Sequence, residues 1–254
     1  MSRPPISYYG SKARIAPWLV ENFPTHRLFG EPFCGSARTL FWHARSPAEV
    51  ISDIDRNLIN FLTQLRDNWR LLQAVCRHDY DRDFFTEAHR TFRHVGDPIE
   101  AARRYFTVNR QSFGGLPRTS TWDAKKANAF RSALAQFPAA AARLSGVEIS
   151  CMHYRTAMLL HDAPDAFFYC DPPYFYGTGR RRNSYWHEMG EAEEHLRFLR
   201  FIKSLKGRVM VSGYASKLYA EELRAWNPKR KRTRSTYANQ QYKPERIERI
   251  WMNY

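Results

Sequence analysis

The sequence predicts an α/β fold, one open sheet with helices on its faces, and three stretches carry that reading. Ala166-Phe167-Phe168-Tyr169-Cys170 is a short continuous apolar run that ends in Asp171-Pro172-Pro173-Tyr174. Such a run reads as a strand buried on both faces, and the double proline stops it, because neither ring nitrogen can donate to a sheet ladder. Leu28 to Cys34, the small-residue loop Gly35-Ser36-Ala37, Thr39 to Trp42 and Glu49 to Asp53 read as strand, loop, helix start and strand ending in an acid. Helix Glu191 to Leu205, closed by Gly207, strand Arg208 to Ser212 and a helix from Ser216 repeat the alternation, which is the pattern of a layered α/β domain.

Composition bounds the rest. With 254 residues and 43% hydrophobic content, the chain can bury a core as one large domain or as a domain carrying an insertion. The start, Met1-Ser2-Arg3-Pro4-Pro5, has no apolar leader and no stretch is long enough to span a membrane, so a soluble, cytoplasmic protein is expected. Cys34, Cys76, Cys151 and Cys170 lack metal-type spacing and are expected as reduced, packed thiols, with no metal site. Forty Lys and Arg against 25 acids give a net charge of +15, an excess suited to phosphate backbones.

In chain order, Tyr8-Tyr9-Gly10-Ser11-Lys12 is a glycine turn that sets Lys12 beside a short helix with Pro17 in its first turn. The Gly35 loop lets backbone N–H groups approach a ligand, and Asp53 follows Gly35 at about the 20-residue offset at which an acid takes ribose hydroxyls. This first half reads as nucleoside-binding. Leu58 through Leu72 has helical apolar spacing and is expected as one helix. Asp97-Pro98-Ile99-Glu100 starts another helix, leading into Asn109-Arg110-Gln111-Ser112-Phe113-Gly114-Gly115-Leu116-Pro117-Arg118. This last run fits a loop that offers base edges and phosphates their partners, and it equally fits a glycine-hinged connection with solvated arginines. Asp123 caps a helix with an apolar face of Ala127, Phe130, Leu134 and Phe137. Strand Val147 to Cys151 then resumes the sheet. Beyond Tyr174, the basic loop holding Arg180, Arg181 and Arg182 is placed to close over a bound strand or to lie as a plain surface loop. The basic run Lys229-Arg230-Lys231-Arg232 precedes a closing strand Ile247 to Met252.

The strand-ending acid suggests its own chemistry. Asp171 sits where open α/β sheets bind ligands. Its carboxylate and the Pro172 carbonyl can accept the hydrogens of an exocyclic amine, whose lone pair is otherwise delocalised into its ring, while Tyr174 offers a stacking surface. A plain Asp-Pro turn with a surface tyrosine has the same residues.

Taken together, Tyr8-Tyr9-Gly10-Ser11-Lys12, Glu31-Pro32-Phe33-Cys34-Gly35, Ser52-Asp53-Ile54-Asp55, Asn109-Arg110 with Phe113, Gly115 and Arg118, and Asp171-Pro172-Pro173-Tyr174 resemble the Dam-like, D12 class of DNA adenine methylases. The resemblance runs from Tyr8 to the closing strand. It implies a Rossmann-like core that uses S-adenosylmethionine, a cofactor half over residues 1–60, a mostly helical target-recognition insertion over 61–145 and a catalytic half over 146–254. It further implies cofactor contacts from Tyr8, Gly10, Lys12, Glu31, Pro32, Phe33, Gly35, Ser36, Asp53, Ile54 and Asp171, with Asp53 on the ribose. Catalysis would fall to Asp171, Pro172, Pro173 and Tyr174, and DNA contacts to Asn109, Arg110, Phe113 and Arg118; the basic loop beyond Tyr174 adds Arg180, Arg181 and Arg182 to the expected DNA contacts on its charge alone. The implied reaction is N6 methylation of an adenine flipped out of double-stranded DNA, by a monomeric bacterial or phage-encoded enzyme. N4-cytosine or another amine methylation, and a non-catalytic DNA-binding protein that keeps the fold, are the rival readings. A carbon-5 cytosine enzyme would need a nucleophilic Cys, and none of the four lies in a Pro-Cys pair. Two departures stand out. Ala37 and Arg38 follow Gly35 where many relatives have a further glycine, which fits a loop without positive φ there, and Met152-His153-Tyr154 replaces an acid or asparagine near the cofactor adenine, so no contact is assigned to His153 or Tyr154.

Overall fold

The computed structural model describes residues 3–8, 10, 12–112, 122–175, 189–234 and 245–254. Strands β1 (Leu28–Glu31), β2 (Ala48–Asp53), β3 (Glu148–Cys151), β4 (Ala166–Cys170), β5 (Arg208–Tyr214), β6 (Asn227–Arg234) and β7 (Glu245–Met252) form a seven-stranded sheet in the order β3-β2-β1-β4-β5-β7-β6. The first five members of that order are parallel. β7 runs antiparallel between β5 and β6. From β1 the chain goes outward to β2 and β3, then returns to β1's other edge as β4. The loops leaving β1 and β4 therefore part in opposite directions, and the crevice between the strand ends is where an open sheet binds ligands.

All five residues of β4 are buried, as the apolar run predicts. Phe167 and Tyr169 join the core on one face of the sheet, while Phe168 and Cys170 join the core on the other. Gly30 of β1 lies opposite Phe168 in register, and a Cβ at Gly30 would meet the Phe168 ring at 2.5 Å. The glycine thus makes room for the ring that fills the sheet's centre.

Between β2 and β3 come helices α3 (Arg56–Asp67), α4 (Trp69–Cys76), α5 (Arg82–Thr91), α6 (Pro98–Gln111), α7 (Ala127–Leu134) and α8 (Phe137–Leu144). Phe61, Phe106, Phe130 and Phe137 of these helices share one core with Phe29, Ile51 and Phe167 of the sheet, so the helical segment has no core separate from that face. The single helix expected over Leu58 to Leu72 is two, broken at Asn68, whose N–H closes α3 onto Gln64 while its carbonyl starts α4. Asp123 caps a 3₁₀ turn, Ala124–Lys126, and Phe137 opens α8 rather than continuing α7. The basic run Lys229 to Arg232, given no element from sequence, is part of the edge strand β6, held by its ladder with β7. Cys34, Cys76 and Cys170 are buried, whereas Cys151 is exposed on the edge strand β3.

The loop after β1 differs from expectation at Ala37. Its φ of 53° and ψ of 36° place it in the left-handed region, and it is the one non-glycine with positive φ among the described residues. Helix α2 (Arg38–Trp42) starts directly after it. A left-handed alanine costs about 1–2 kcal/mol, and the Ala37 methyl, buried at 0% exposure in the core, offsets part of that cost. Ala37→Gly should therefore be nearly neutral in thermal unfolding. Ala37→Val, which adds a β-branch in the same conformation and overpacks the site, should lose about 2 kcal/mol or more; a Tm equal to that of the parent protein would contradict this loop geometry.

Candidate active site

Three acids stand at the ends of adjacent strands. Asp53 ends β2, Glu31 ends β1 and Asp171 follows β4. Together with Tyr8, Gly10, Lys12, Phe33, Gly35, Ser36 and Ile54 they line one cavity of about 370 Å³, within the range of small-molecule sites. His153, Tyr154 and Arg155, at the start of helix α9 (Tyr154–Leu160), close its far side, although no contact is assigned to them from sequence. Tyr154 stacks on Phe33 with ring centroids 5.1 Å apart. Pro32 is buried and is not among the lining residues; it borders a separate, smaller pocket with Ala157, Met158 and Phe168.

Asp53 organises the loop beside it. Its Oδ2 accepts the Gly35 N–H at 3.0 Å and its Oδ1 accepts the Asp55 N–H at 3.1 Å. The Ile54 N–H is a third backbone donor to this carboxylate, which leaves it part of its capacity of about four acceptor sites. Burial pushes the Asp53 carboxyl up to about 6, against the pull of these backbone donors. Gly35 has φ +46°, and a Cβ there would meet the Tyr8 ring at 2.8 Å, so the glycine is needed for both conformation and close approach.

Glu31 is more deeply enclosed, at 4% exposure. The Thr39 hydroxyl donates to its Oε1, while Oε2 is buried without a hydrogen-bond partner. Burial raises its pKa from 4.5 to about 8 even though Thr39 and the Leu40 N–H favour the anion. The native state thus holds one more proton than the unfolded chain between those values, so stability falls as pH rises across them. Asp53 acts in the same direction only below about 6. Glu31→Gln should accordingly flatten the decline in Tm between pH 6 and 8, and a slope unchanged from the parent protein would contradict a neutral Glu31.

Lys12 joins the cavity to the motif after β4. Its side chain is 6% exposed, and its ammonium lies 3.0 Å from Asp171 Oδ1, donates to the Tyr174 hydroxyl and sits 4.4 Å from the Tyr174 ring centroid. Burial lowers the lysine's pKa, and Asp171 and Glu248 more than reverse that, so it remains a cation. Ser212 Oγ on β5 also donates to Asp171 Oδ1, at 2.7 Å, and is itself 2.9 Å from the Tyr169 hydroxyl. Among the described residues both contacts fall on Oδ1, so Oδ2 retains acceptor capacity. The Tyr174 hydroxyl donates to Glu248 Oε2 at 2.9 Å and its ring meets Tyr214 edge-on at 4.6 Å. Pro172 and Tyr174 do not line the cavity, whereas Asp171 and Pro173 do. Asp171 and Pro173 are thus shared by the cavity and the motif, and Asp171 is the one that brings a charge. Ser212 and Glu248 have no sequence signal of their own; each is a polar residue in a strand that becomes meaningful only when β5 and β7 are laid beside β4.

Asn109 is a correction. It lies within α6 at 1% exposure, accepts the Ser7 N–H at 2.9 Å and donates to the Ser7 carbonyl at 2.7 Å. Buried and bonded through both its oxygen and its nitrogen to the Ser7 backbone, it sits inside the helix rather than in a loop and pins the segment that carries Tyr8 and Lys12. Arg110, also in the helix, bonds Ser7 Oγ at 2.8 Å and the Ala129 carbonyl at 2.9 Å, which ties the same segment to α7. Phe113, Arg118, Arg180, Arg181 and Arg182 lie outside the described residues. Among the described residues there is no cluster of His, Cys, Asp and Glu able to hold a metal, and no helix is long and apolar enough to cross a membrane.

A mostly parallel sheet with its crevice at the β1/β4 switch point, an acid ending β2 and Asp-Pro-Pro-Tyr after β4 is the architecture of a Rossmann-like methyltransferase. Sequence comparison narrows the class. The D12 class N6 adenine-specific DNA methyltransferases match residues 8–250, and the chain belongs to that family. A DNA adenine methylase of Haemophilus influenzae is 25% identical over 186 residues, covering 68% of this chain and 64% of the relative, a little under two thirds of its length. The type II methyltransferase M1.LlaDCHI of Lactococcus lactis subsp. cremoris is 26% identical over 245 residues, covering 87% of this chain and 84% of the relative.

Proposed function

We propose that this chain transfers a methyl group from S-adenosylmethionine to N6 of an adenine flipped out of double-stranded DNA. The observation that carries the reading is Asp171, which lines the cavity on one side and opens the Asp-Pro-Pro-Tyr motif on the other, so that two ligands would meet at one carboxylate. The cavity fits the cofactor. Its volume suits a small molecule, the buried Glu31 Oε2 lacks a partner that a bound amino group would supply, and Asp53 keeps acceptor capacity for a ribose hydroxyl beside its backbone donors. S-adenosylmethionine, when bound, supplies a methyl group activated by its sulfonium charge.

The chain's own residues then act on the base. Asp171 Oδ2 and the Pro172 carbonyl accept the hydrogens of the exocyclic amine, which directs the nitrogen lone pair toward the methyl group, and Asp171 is placed to take the proton the amine sheds after transfer. Lys12 and Ser212 hold the carboxylate in place through Oδ1. Tyr174, whose hydroxyl is fixed by Lys12 and Glu248, would stack its ring on the base. No covalent intermediate with the protein is required. Residues 61–145 would serve target recognition, with Phe113, Arg118 and the arginines 180 to 182 as DNA contacts, and the enzyme would act as a cytoplasmic monomer.

Mapping N6-methyladenine in the DNA of a host that lacks adenine methylation, with and without expression of this chain, tests the proposal. Methylated adenines in one recurring sequence are expected. DNA free of N6-methyladenine despite folded, cofactor-binding protein would refute it, and N4-methylcytosine in its place would identify the other amine chemistry.

A further inference from the structure

The basic strand β6 takes no part in the site described above, yet its placement is specific. Alternate residues of a strand point to opposite faces. On one face Lys229 Nζ donates to Asn22 Oδ1 at 2.6 Å, and the Lys231 ammonium lies 5.7 Å from the ring of Trp18, which belongs to helix α1 (Ala16–Val20). Arg230 and Arg232 have the other parity and emerge on the opposite face, where both are exposed. There the register sets Arg230 directly across from Arg249 and Arg232 across from Ile247. The side of β7 confirms this parity, because Trp251 packs with Tyr219 of helix α11 (Lys217–Glu222), whereas Ile250 and Met252 belong to the opposite core. Arg249 in turn lies opposite Gly213, which contributes no side chain, and its Nε is buried without a hydrogen-bond partner.

Arg230 and Arg249 are like charges directly opposite on paired strands, which repel, and Glu248, next to Arg249 in sequence, has the other parity and is bonded to Tyr174. The cluster also has a defined position. β6 and β5 are both antiparallel to β7, so β6 climbs toward the same sheet end as β4 and β5. Lys231, Glu248 and Tyr214 form one row across the sheet, and Glu248 holds the Tyr174 hydroxyl. Arg230 and Arg232 flank that row, which ties them to the target-base motif through two rigid strands.

We infer that Arg230, Arg232 and Arg249 form a phosphate-binding face that holds the backbone of duplex DNA beside the catalytic cleft, on the side of the sheet farthest in strand order from β3. This rests on the DNA substrate proposed above. The face positions the duplex and reads no bases, since guanidinium contacts to phosphate carry no sequence information directly. An edge strand rich in cations can also serve only to block edge-to-edge pairing, and the test separates the two roles.

Binding of a short duplex carrying the methylated sequence is measured over a range of salt concentrations for the parent protein, Arg230→Gln/Arg232→Gln, and the opposite-face control Lys229→Gln/Lys231→Gln. The arginine variant should lose about 0.9 in the slope of log K against log salt per contact, roughly 1.8 for the pair, with an unchanged methylated sequence and an unchanged cofactor Kd. The lysine control should keep the parent slope. The duplex should also raise the Tm of the parent protein more than that of the arginine variant. Equal slopes for the parent protein and the arginine variant, equal losses in both variants, or self-association of the arginine variant with an unchanged slope would each overturn the inference. If the parent protein binds no duplex at all, the DNA reading itself fails and this face with it.

Discussion

Asp171→Asn should lower kcat by about 10²–10³-fold, the usual cost of removing one preorganised charge or hydrogen-bonding group from a reaction centre, while DNA binding persists. The two carboxylate oxygens divide the labour. Oδ1 is taken by Lys12 and Ser212, and Oδ2 is left for the amine. Asparagine keeps the shape but presents an amide that cannot both accept the amine hydrogen and take the proton released after transfer. The same substitution removes the counter-charge of Lys12, whose side chain is only 6% exposed. Breaking such a pair from one side costs on the order of 3 kcal/mol, so the Tm of Asp171→Asn should fall. Adding Lys12→Met should restore part of the lost Tm and none of the lost activity. Recovery of turnover in the double variant would show that Asp171 serves only to neutralise Lys12.

Asp53 should govern cofactor affinity with little effect on DNA. Hydrogen bonds to a charged group contribute about 1.5–3 kcal/mol, so Asp53→Ala should weaken S-adenosylmethionine binding by roughly 10- to 100-fold. Because the carboxylate also accepts the Gly35 and Asp55 N–H groups, Asp53→Asn is the cleaner variant, since its amide oxygen preserves one of them. Calorimetric titration of both variants decides between roles. A Kd equal to that of the parent protein in Asp53→Asn, together with a loss only in Asp53→Ala, would make Asp53 a support for the loop and not a ligand of the ribose.

What was legible in the sequence had local causes. The five apolar residues of β4 are buried because a strand with neighbours on both edges and helices on both faces has no solvent side, and Asp171 and Asp53 fall at strand ends because a double proline and a helix cap leave the ladder nowhere to continue. The misreadings had tertiary causes. Asn109 looks like a loop residue from its neighbours, but its partner Ser7 lies 102 positions away, and no local pattern reports that pairing. Asn68 breaks a helix whose apolar spacing runs through it without a Gly or Pro. Four consecutive cations have little intrinsic preference for a strand, and β6 exists because β7 supplies its ladder. Ala37 adopts a glycine-like conformation that its side chain gives no reason to expect, imposed by the tight turn in which its N–H reaches the Cys34 carbonyl at 2.6 Å.

The most direct test of the account is nucleoside analysis of duplex DNA incubated with the purified chain and methyl-labelled S-adenosylmethionine, with Asp171→Asn run in parallel. The account predicts label in N6-methyl-2′-deoxyadenosine for the parent protein and a 10²–10³-fold lower rate for the variant. Label in cytosine, or equal rates for the two proteins, would contradict it.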